Sequence, residues 1–519
     1  MKSFIEALRR KREKYAGRPF TGKILFFILG ILTTAWFLIR VIPKPQRATY
    51  PCMRASAPIM SGFIVYLLTV TGTFKAFSMA RLNLKKAKII WFGVFALIAA
   101  AGSLALLLQH PVTVFAKSNT EWIITPNKPL GAGMGIFPGR VTWVYNSKAA
   151  AWDGSTGFWW EDKFTPQAES DKLMNESILL LTGEKTLAKA WEALFVSFNK
   201  SKKGKAEGYR SGQKIAIKIN ENNNNSHSNN NEVNASPQMT LALLRTLIND
   251  GGVPEKNIIV FDASRFITDN IYDKCHKEFP EVVFVDFTGG DGRVKSTYTQ
   301  NAIPYSVNNG KLDRGLATCA TGADYLINLA LLKGHVGQGV TLCAKNYYGV
   351  TSIDADWHKN AHDNFDQDRE GKPRYMTFVD FLGHKDLGGK TMLFLIDGLY
   401  GSRLLNGTPV SKWKMAPFNN SWSGSLFASQ DGVAIDAVGL DFLRSEFADL
   451  PDIKFGDQYL IEAALADNPP SKTKYDPERD GSRLKSLGVM EHWNNPVEKK
   501  YSRNLGKTTG IELISQIIK

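Results

Sequence analysis

Residues that can carry chemistry are concentrated between positions 333 and 362. This segment includes three of the eight histidines of the chain, and its candidate residues are Lys333, Lys345, Asn346, His335, His358 and His362. Histidine supplies metal ligation and proton transfer near neutral pH, and a desolvated lysine acts as a base or forms a Schiff base. His358 and His362 are four residues apart, so a helix would place both on one face, as a metal site requires. The pattern predicts a catalytic or metal-binding site, with a purely structural role as the alternative.

Further polar residues stand where apolar, strand-like segments end. The carboxyl ends of parallel strands meet at one edge of an α/β sheet, and ligands of such sheets bind at that edge. The predicted cofactor-binding residues are Lys218, Asn220, Asp262, Lys333, Asn346 and Arg140. The predicted catalytic residues are His335, Lys345 and Asp397. The predicted metal ligands are His362 and His358.

Three aspartates late in the chain receive separate predictions. Asp397 ends an apolar strand, so we expect it to line the same pocket as His335. Asp436 lies in residues 431–447, which read as a loop leading into a helix, and we expect it mainly to cap a helix. Whether Asp431 reaches the pocket stays open.

Arg140 ends a glycine-rich stretch, residues 127–140, that precedes the strand-like residues 141–145. Glycines allow the backbone to approach a ligand closely, and Arg140 could hold an anion. A dinucleotide-binding fingerprint follows a strand and opens a helix, whereas the order here is different. The stretch therefore departs from a phosphate-binding loop, although a ligand contact through Arg140 is retained as a prediction.

Short apolar runs alternate with helical patterns in the second half of the chain. Residues 213–262 read as strand, asparagine-rich loop, helix and strand, which at this spacing predicts a parallel β-α-β unit. Further strands are predicted within residues 281–287, 323–332 and 391–398, and residues 222–231 are expected to form a mobile surface loop. The predicted fold is an α/β soluble domain with a mainly parallel sheet, preceded by three transmembrane α-helices.

The N-terminal region carries three apolar segments long enough to cross a bilayer, residues 24–42, 58–79 and 89–108. Lysines and arginines cluster before the first segment and between the second and third, which places both flanks in the cytoplasm by the positive-inside rule. Three crossings deliver the rest of the chain to the opposite side. The sequence thus predicts an inner (cytoplasmic) membrane protein with a cytoplasmic N-terminus, a periplasmic soluble domain and the lipid bilayer as a partner.

Charge and cysteine usage exclude one class of partner and one class of cofactor. The net charge is +15, but residues 1–117 carry +16 and the remainder −1, so the predicted soluble domain has no excess positive charge with which to bind nucleic acid. The four cysteines include no pair separated by two residues, and we therefore expect no iron-sulfur cluster. The expected partners are other membrane protein subunits and a small-molecule ligand.

Several strings between residues 210 and 450 carry a family resemblance: KIAIKIN, ADYLINLALLKGH, LCAKNYYG, LFLIDGLYG and ASQDGVAIDAVGLDFL. They resemble the family called domain of unknown function 362. That family is sometimes joined to ferredoxin-type modules, and this chain departs from that arrangement because it lacks the cysteines. The predicted domains are a membrane region in residues 1–110, a glycine- and tryptophan-rich lead-in packed on the soluble domain in residues 111–210, and an α/β domain in residues 211–519.

The spacing of His335, Lys345 and His362 is similar to that of the nickel-dependent lactate racemase family. In that family a catalytic histidine is followed ten residues on by a lysine that holds a nickel pincer cofactor, and about sixteen further on by a nickel-binding histidine. Here Lys345 follows His335 by ten residues and His362 follows Lys345 by seventeen. The resemblance implies that His335 is the acid/base, Lys345 the cofactor anchor and His362 the metal ligand, with His358 available instead.

Two functions are compatible with these patterns. The first is a membrane-anchored periplasmic enzyme, racemase- or oxidoreductase-like, that performs proton or hydride chemistry on a small oxygenated substrate. Its cofactor would be a transition metal such as nickel, or a nucleotide-derived compound. The second is a non-catalytic subunit or scaffold of an inner-membrane or envelope complex, which three spans favour because a simple tether needs fewer. The cluster between residues 333 and 362 favours the enzyme.

Overall fold

The computed structural model describes residues 31, 34, 39, 51–86, 88–108, 125–299, 305–306, 315–336, 339–352, 373–404, 406–450 and 452–518. The chain divides into two units, Met1–Asn119 and Thr120–Lys519. The large sheet and the candidate site belong to the second unit.

Two helices with described bounds lie in the first unit, α1 from Pro51–Lys85 and α2 from Ile89–Leu108. They pack against each other. Ala76, Ala80 and Ala99 are buried in this unit. Small side chains such as these let two helices approach closely.

Within the described residues, no helix combines the length and the apolar character that a membrane crossing requires. The prediction of three transmembrane helices is therefore wrong, and so are the inner-membrane location and the periplasmic placement that were derived from it. Residues 24–42, apart from three positions, lie outside the described residues. The second predicted segment is part of α1, a longer helix that continues through Lys75, Arg81 and Lys85. These charged residues belong to the same helix as the apolar segment and reduce its apolar character.

The second unit contains, among its described residues, a ten-stranded sheet and a two-stranded sheet. The strands are β1 Leu130–Gly131, β2 Arg140–Asn146, β3 Ile215–Lys218, β4 Ile258–Asp262, β5 Val283–Asp286, β6 Val294–Lys295, β7 Tyr325–His335, β8 Gly339–Thr341, β9 Thr391–Ser402, β10 Ser425–Ser429, β11 Val489–Met490 and β12 Glu512–Ile518. The order across the large sheet is β12-β2-β10-β9-β7-β3-β4-β5-β6, and β8 pairs with β7. The six neighbouring strands β9, β7, β3, β4, β5 and β6 pair in parallel. Strand β10 is antiparallel to both of its neighbours, β9 and β2. The sheet is thus mixed, and its parallel part contains the predicted strands.

Helices cover both faces of this sheet. The helices of the second unit are α3 Gln167–Thr182, α4 Leu187–Lys203, α5 Pro237–Arg245, α6 Asp269–His276, α7 Thr318–Thr321, α8 Cys343–Asn346, α9 Thr377–Gly383, α10 Gly432–Glu446 and α11 Gln458–Ala464. One apolar core joins α3 to α6 with one face of the sheet, and a second core joins α8 to α11 with the opposite face. In β3, Ile215 and Ile217 belong to the first core and Ala216 to the second, as alternation along a strand requires.

The unit β3-α5-β4 folds as its sequence pattern predicts. The strands are short and buried, and Ser236 caps α5 by accepting a hydrogen bond from the backbone N–H of Met239. Pro237 occupies the first helical position, where its missing N–H costs nothing. Because β3 and β4 pair in parallel, their last residues, Lys218 and Asp262, lie beside each other at one edge of the sheet.

The asparagine-rich loop, residues 222–231, is held by a network of side-chain amides, although its composition predicted a mobile surface loop. Asn224 Oδ1 accepts hydrogen bonds from Asn230 Nδ2 at 2.8 Å and from Asn234 Nδ2 at 2.7 Å. The indole of Trp160 donates to the carbonyl of Asn230 at 2.8 Å. An amide side chain both donates and accepts, so a run of asparagines can satisfy its own polar groups. The chain that leaves β3 therefore follows a defined path.

A buried network around His492 ties the C-terminal part of the chain to α10. His492 Nδ1 lies 2.6 Å from Asp441 Oδ1, and its Nε2 lies 3.3 Å from Asp457 Oδ1. Asp441 also accepts a hydrogen bond from the Tyr501 hydroxyl at 2.9 Å. Burial alone would lower the pKa of His492, but the two carboxylates outweigh it and raise the pKa to about 10. The two carboxylates therefore favour the protonated imidazole and outweigh the opposing charge of the Arg444 guanidinium, whose Nη1 lies 3.2 Å from His492 Nε2.

This protonated histidine predicts a loss of stability at alkaline pH. The folded-state pKa is raised from 6.5 to about 10, so the stabilising contribution is complete below pH 6.5 and is lost as the pH rises toward 10. We expect the free energy of unfolding, measured by urea denaturation, to fall by roughly several kcal/mol across this window. His492→Gln should lose most of this dependence, whereas His276→Gln on α6 should retain it. The same alkaline slope in both variants would contradict the assignment.

Candidate functional site

The ammonium group of Lys218 forms the floor of a narrow cleft at the carboxyl edge of the parallel strands. Only 1% of the Lys218 side chain is exposed. Its Nζ lies 3.0 Å from Asp262 Oδ2 and 3.2 Å from Asn346 Oδ1, and it also donates to the carbonyl of Ile219. Burial lowers the pKa of Lys218, and the Asp262 carboxylate opposes that effect. The ammonium is thus fixed by three acceptors from three segments of the chain.

Asp262 is oriented through both of its carboxylate oxygens. Besides Lys218, Oδ2 accepts the backbone N–H of Glu221 at 3.0 Å. Oδ1 accepts the backbone N–H and the hydroxyl of Ser264 at 3.0 and 2.9 Å. A buried ion pair offsets its desolvation only where further hydrogen bonds satisfy the remaining lone pairs, and these bonds meet that condition.

Asn346 joins the lysine to the neighbouring strands. Its Oδ1 accepts from Lys218 and, at 3.0 Å, from Asn220 Nδ2. Its Nδ2 donates to Asn328 Oδ1 at 2.8 Å. Asn328 lies in β7, so this amide connects the ends of β3 with the middle of the adjacent parallel strand.

Asp436 caps α8, the short helix that carries Lys345. Its two carboxylate oxygens accept the backbone N–H groups of Cys343 and Ala344 at 2.8 and 2.9 Å, and one also accepts the Tyr459 hydroxyl at 2.9 Å. Burial raises the pKa of Asp436 to about 6, and these hydrogen bonds oppose the rise.

The helix that follows residue 431 is capped by Asp431, which accepts the backbone N–H groups of Val433 and Ala434, and not by Asp436. Asp436 lies within α10 and holds the first residues of α8 instead. Asp436 therefore positions the cleft without lining it.

The cleft brings together most of the predicted cofactor-binding residues. Four of the six predicted cofactor-binding residues line it, Lys218, Asn220, Asp262 and Asn346, together with the predicted catalytic residue Lys345. The enclosed part of the cleft has a volume of only about 30 Å³, so a ligand larger than a water molecule or two would lie at its open mouth.

The described lining of the cleft carries an excess of positive charge. Lys218, Lys345 and Arg265 face the single carboxylate of Asp262. Lys218 is fully buried, whereas Lys345 and Arg265 are half-buried. Lys345 Nζ lies 4.8 Å from the ring centre of Tyr348. Cations in a partly desolvated cleft favour an anionic ligand, because charge-assisted hydrogen bonds are stronger there than in water.

Lys333 and Glu221 belong to the same cluster of charges without lining the cleft. Lys333 Nζ donates to the carbonyl of Val233 at 3.1 Å. Burial lowers the pKa of Lys333 to about 7, and repulsion from Lys345 adds to the effect. Burial and the nearby Asp262 raise the pKa of Glu221 well above its usual range. Both groups therefore favour their neutral forms more than exposed residues do.

Two predicted site residues lie elsewhere in the sheet. Asp397 pairs with Leu331 across β9 and β7, lines a separate small cavity, and accepts the Ser236 hydroxyl at 2.6 Å. Arg140 lies in β2 and forms an ion pair with Glu512 at 2.8 Å. The structure thus does not bring Asp397 or Arg140 into the cleft. A polar residue beside a strand can equally anchor a helix or pair with a neighbouring strand, and the sequence pattern is the same.

Of the three predicted histidines, only His335 is among the described residues. It ends β7, pairs with Gly339 of β8, and is not part of the described lining of the cleft. His358 and His362 lie outside the described residues. The convergence of these imidazoles with Lys345 stays a prediction.

The predicted nickel site stays a prediction, because its ligands His358 and His362 lie outside the described residues. No group of three or more His, Cys, Asp or Glu side chains that could hold a metal ion occurs in the part of the chain that the structure describes. The described lining of the cleft supplies one carboxylate beside three cationic side chains, which repel a divalent metal, so this lining alone does not form a metal site.

Sequence reasoning missed several residues that shape the site: Glu221, Arg265, Thr341, Tyr348 and Gly349. Arg265 follows the end of β4 by three residues, so the strand-end rule could have found it. Thr341 lies in β8, a three-residue strand too short to leave a periodic signal. Tyr348 and Gly349 follow Asn346 in the string LCAKNYYG. Their residue types alone did not indicate that they line the cleft.

Gly349 predicts a steric requirement at the ion pair. A Cβ added at Gly349 would lie 2.8 Å from Asp262 Oδ1 and closer still to Lys218 Nζ. We expect Gly349→Ala to lower the free energy of unfolding by about 1–3 kcal/mol in chemical denaturation, because the pair must shift to make room. Gly93→Ala in α2, where an added Cβ meets nothing within 4 Å, should leave the transition of the second unit unchanged. An unaltered transition for Gly349→Ala would show that the pair moves freely.

Comparison with known proteins identifies the region that contains this cleft. Residues 215–441 match the family model described as Domain of unknown function (DUF362). No curated protein and no solved structure matches the chain, so the similarity to nickel-dependent lactate racemases is not shown. The match runs from β3 into α10 and includes Lys218, Asp262, Lys345 and Asp436. The candidate cleft therefore lies in the region that is similar to the DUF362 family, residues 215–441.

Proposed function

We propose that the cleft above Lys218 is the active site of an enzyme that binds a small anionic oxygen compound, a carboxylate or a phosphate, and performs proton chemistry on it. The observation that carries this proposal is the buried Lys218 ammonium, fixed by Asp262 and Asn346 at the edge where parallel α/β sheets bind ligands. Lys345 and Arg265 contact the anion from the half-buried part of the lining.

The fixed ammonium supports stabilisation of negative charge. An ammonium has three N–H donors, and those of Lys218 are directed at Ile219, Asp262 and Asn346. Lys218 therefore acts on a ligand through its electric field and does not have to reorient. Charges fixed in advance in a partly dry site are effective in stabilising an oxyanion that develops during a reaction. Removal of a proton beside a carboxylate creates such an oxyanion.

The proposal predicts measurable anion binding that depends on Lys345 and Arg265. We expect isothermal titration of the protein with acetate and with inorganic phosphate to show saturable binding of at least one anion. Lys345→Met and Arg265→Met should each weaken it by about tenfold or more, because each removes a charge-assisted hydrogen bond. Added salt should also weaken it.

A control variant shows whether weaker anion binding comes from the loss of a charge in the cleft or from the loss of a lysine elsewhere in the protein. Lys390 donates to the carbonyls of Ala320 and Thr321, away from the cleft, and Lys390→Met should bind the anions as the unaltered protein does. Lys218→Met is less useful, since it leaves Asp262 buried without its partner and destabilises the fold. Anion binding that is equally strong in Lys345→Met, Arg265→Met and Lys390→Met would overturn the proposal. No binding to any of these proteins would favour the non-catalytic subunit instead.

A further inference from the structure

A groove with a volume of about 430 Å³ lies beside β12, which forms one edge of the described large sheet. One side of this β12 groove is formed by alternate residues of β12, and the other by two loops, residues 416–417 and 497–500. Its volume is in the range of ligand-binding clefts. The β12 groove is therefore large enough to hold part of a second molecule.

The outer edge of β12 is covered at its beginning by the chain itself. The N–H of Glu512 bonds to the carbonyl of Gly139, so the even-numbered residues of β12 face β2 and the odd-numbered residues face outward. Leu513 faces outward, and its N–H and carbonyl both bond to the side-chain amide of Asn504 at 3.0 Å. That amide occupies the place that the backbone of a neighbouring strand would take.

The next two outward residues, Ser515 and Ile517, are open. In the described part of the chain, no residue bonds to their outward backbone N–H and carbonyl groups. Both residues are exposed, so solvent reaches this edge. Edge strands are commonly protected by a lysine, a proline or a bulge, whereas β12 contains neither residue and keeps a continuous register with β2. The end of β12 is thus a template for one further strand.

Apolar side chains beside this edge suit the side chains of an added strand. Val497 and Ile517 both line the groove and are 88% and 53% exposed. The loops that form the groove are joined, because Lys499 Nζ donates to the carbonyls of Ala416 and Pro496 at 3.0 and 2.6 Å. An extended peptide bonds to such an edge through its backbone and places alternate side chains in the adjoining groove.

The charge around the groove selects among the possible occupants. Residues 498–507 contain four basic residues and one acidic residue. Arg503 is paired with Glu512, whereas Lys500 is exposed in the lining of the groove. A second copy of the chain would bring two such basic segments to the same edge, and like charges across an interface are unfavourable. An acidic peptide instead meets the opposite charge.

We propose that the open end of β12 binds an extended acidic peptide segment of a partner protein by strand addition. The backbone of the peptide pairs with Ser515 and Ile517, an apolar side chain of the peptide covers Val497, and its acidic side chains face Lys500. Pairing begins after Leu513, because Asn504 already occupies the position beside that residue. The described lining of this groove shares no residue with the cleft above Lys218.

The test uses an end-blocked, fluorescein-labelled hexapeptide of alternating valine and glutamate. Fluorescence anisotropy with the full chain should show saturable binding, and the same peptide with lysine in place of glutamate should bind more weakly. Two further forms are methylated on the odd-numbered or on the even-numbered backbone nitrogens. An added strand pairs through one of its two edges, so one form should lose about tenfold or more in affinity and the other should keep it.

Variants at one position provide the matched comparison. Ser515→Pro removes an outward N–H that takes no part in the ladder with β2, so thermal unfolding should be unchanged while peptide binding weakens about tenfold. Ser515→Ala keeps that N–H and should bind as the unaltered protein does. Lys500→Glu should weaken binding of the glutamate peptide severalfold, whereas Lys189→Glu on the exposed side of α4 should not.

Absence of saturable binding would overturn the proposal, and so would equal binding of the unmethylated and both methylated peptides. Equal affinity in Ser515→Pro and Ser515→Ala would contradict it as well. If Ser515→Pro lowers the unfolding temperature, the methylated peptides decide the question on the unaltered protein. Sedimentation of the full chain as a dimer that Ser515→Pro dissociates would show that this edge takes a second copy, and the proposal would then be wrong.

Discussion

The buried ion pair between Lys218 and Asp262 is the interaction on which the rest of the candidate site depends. Moving two charges out of water costs several kcal/mol for each, and their mutual attraction offsets this cost only when the remaining donors and acceptors are also paired. The amide of Asn346 and the backbone and hydroxyl of Ser264 supply those pairings. The ends of β3 and β4, the turn at Ser264 and the helix α8 must therefore all be in place before the pair is stable. Asp436 contributes to this by binding the first backbone N–H groups of α8.

An ion pair of this kind contributes little to stability compared with apolar residues of the same size, so stability alone is a poor reason for it. Its distinguishing property is a charge whose position does not change when a ligand arrives. The other cations of the lining strengthen this reading, because Lys345 and Arg265 place further positive charge near the Lys218 ammonium. Crowding of like charges is costly in an empty site and favourable when an anion occupies it.

The sequence predicted the parallel part of the sheet well, because buried strands and the amphipathic helix α5 have distinct periodicities. The strand-end rule then found Lys218, Asn220 and Asp262, since parallel strands bring their ends together whatever the loops do. The same rule misplaced Asp397, because β9 continues to Ser402 and Asp397 lies in its middle, where it accepts the Ser236 hydroxyl. Arg140 was predicted from the glycine-rich stretch, and its partner Glu512 comes from the far C-terminal strand, which no local pattern reveals. The membrane prediction failed at the second segment because its apolar residues belong to a longer helix that also carries lysines and an arginine.

The strand that borders β10 comes from outside the family match. β2 precedes the matched residues, β12 lies near the C-terminus, and the two pair with each other in parallel beside β10. A fragment limited to residues 215–441 would retain β10 and lose both, leaving a row of backbone donors and acceptors without partners along an apolar strand. Such an edge readily recruits another copy of itself. We therefore expect a fragment that folds on its own to need β2 and β12 in addition to the matched residues.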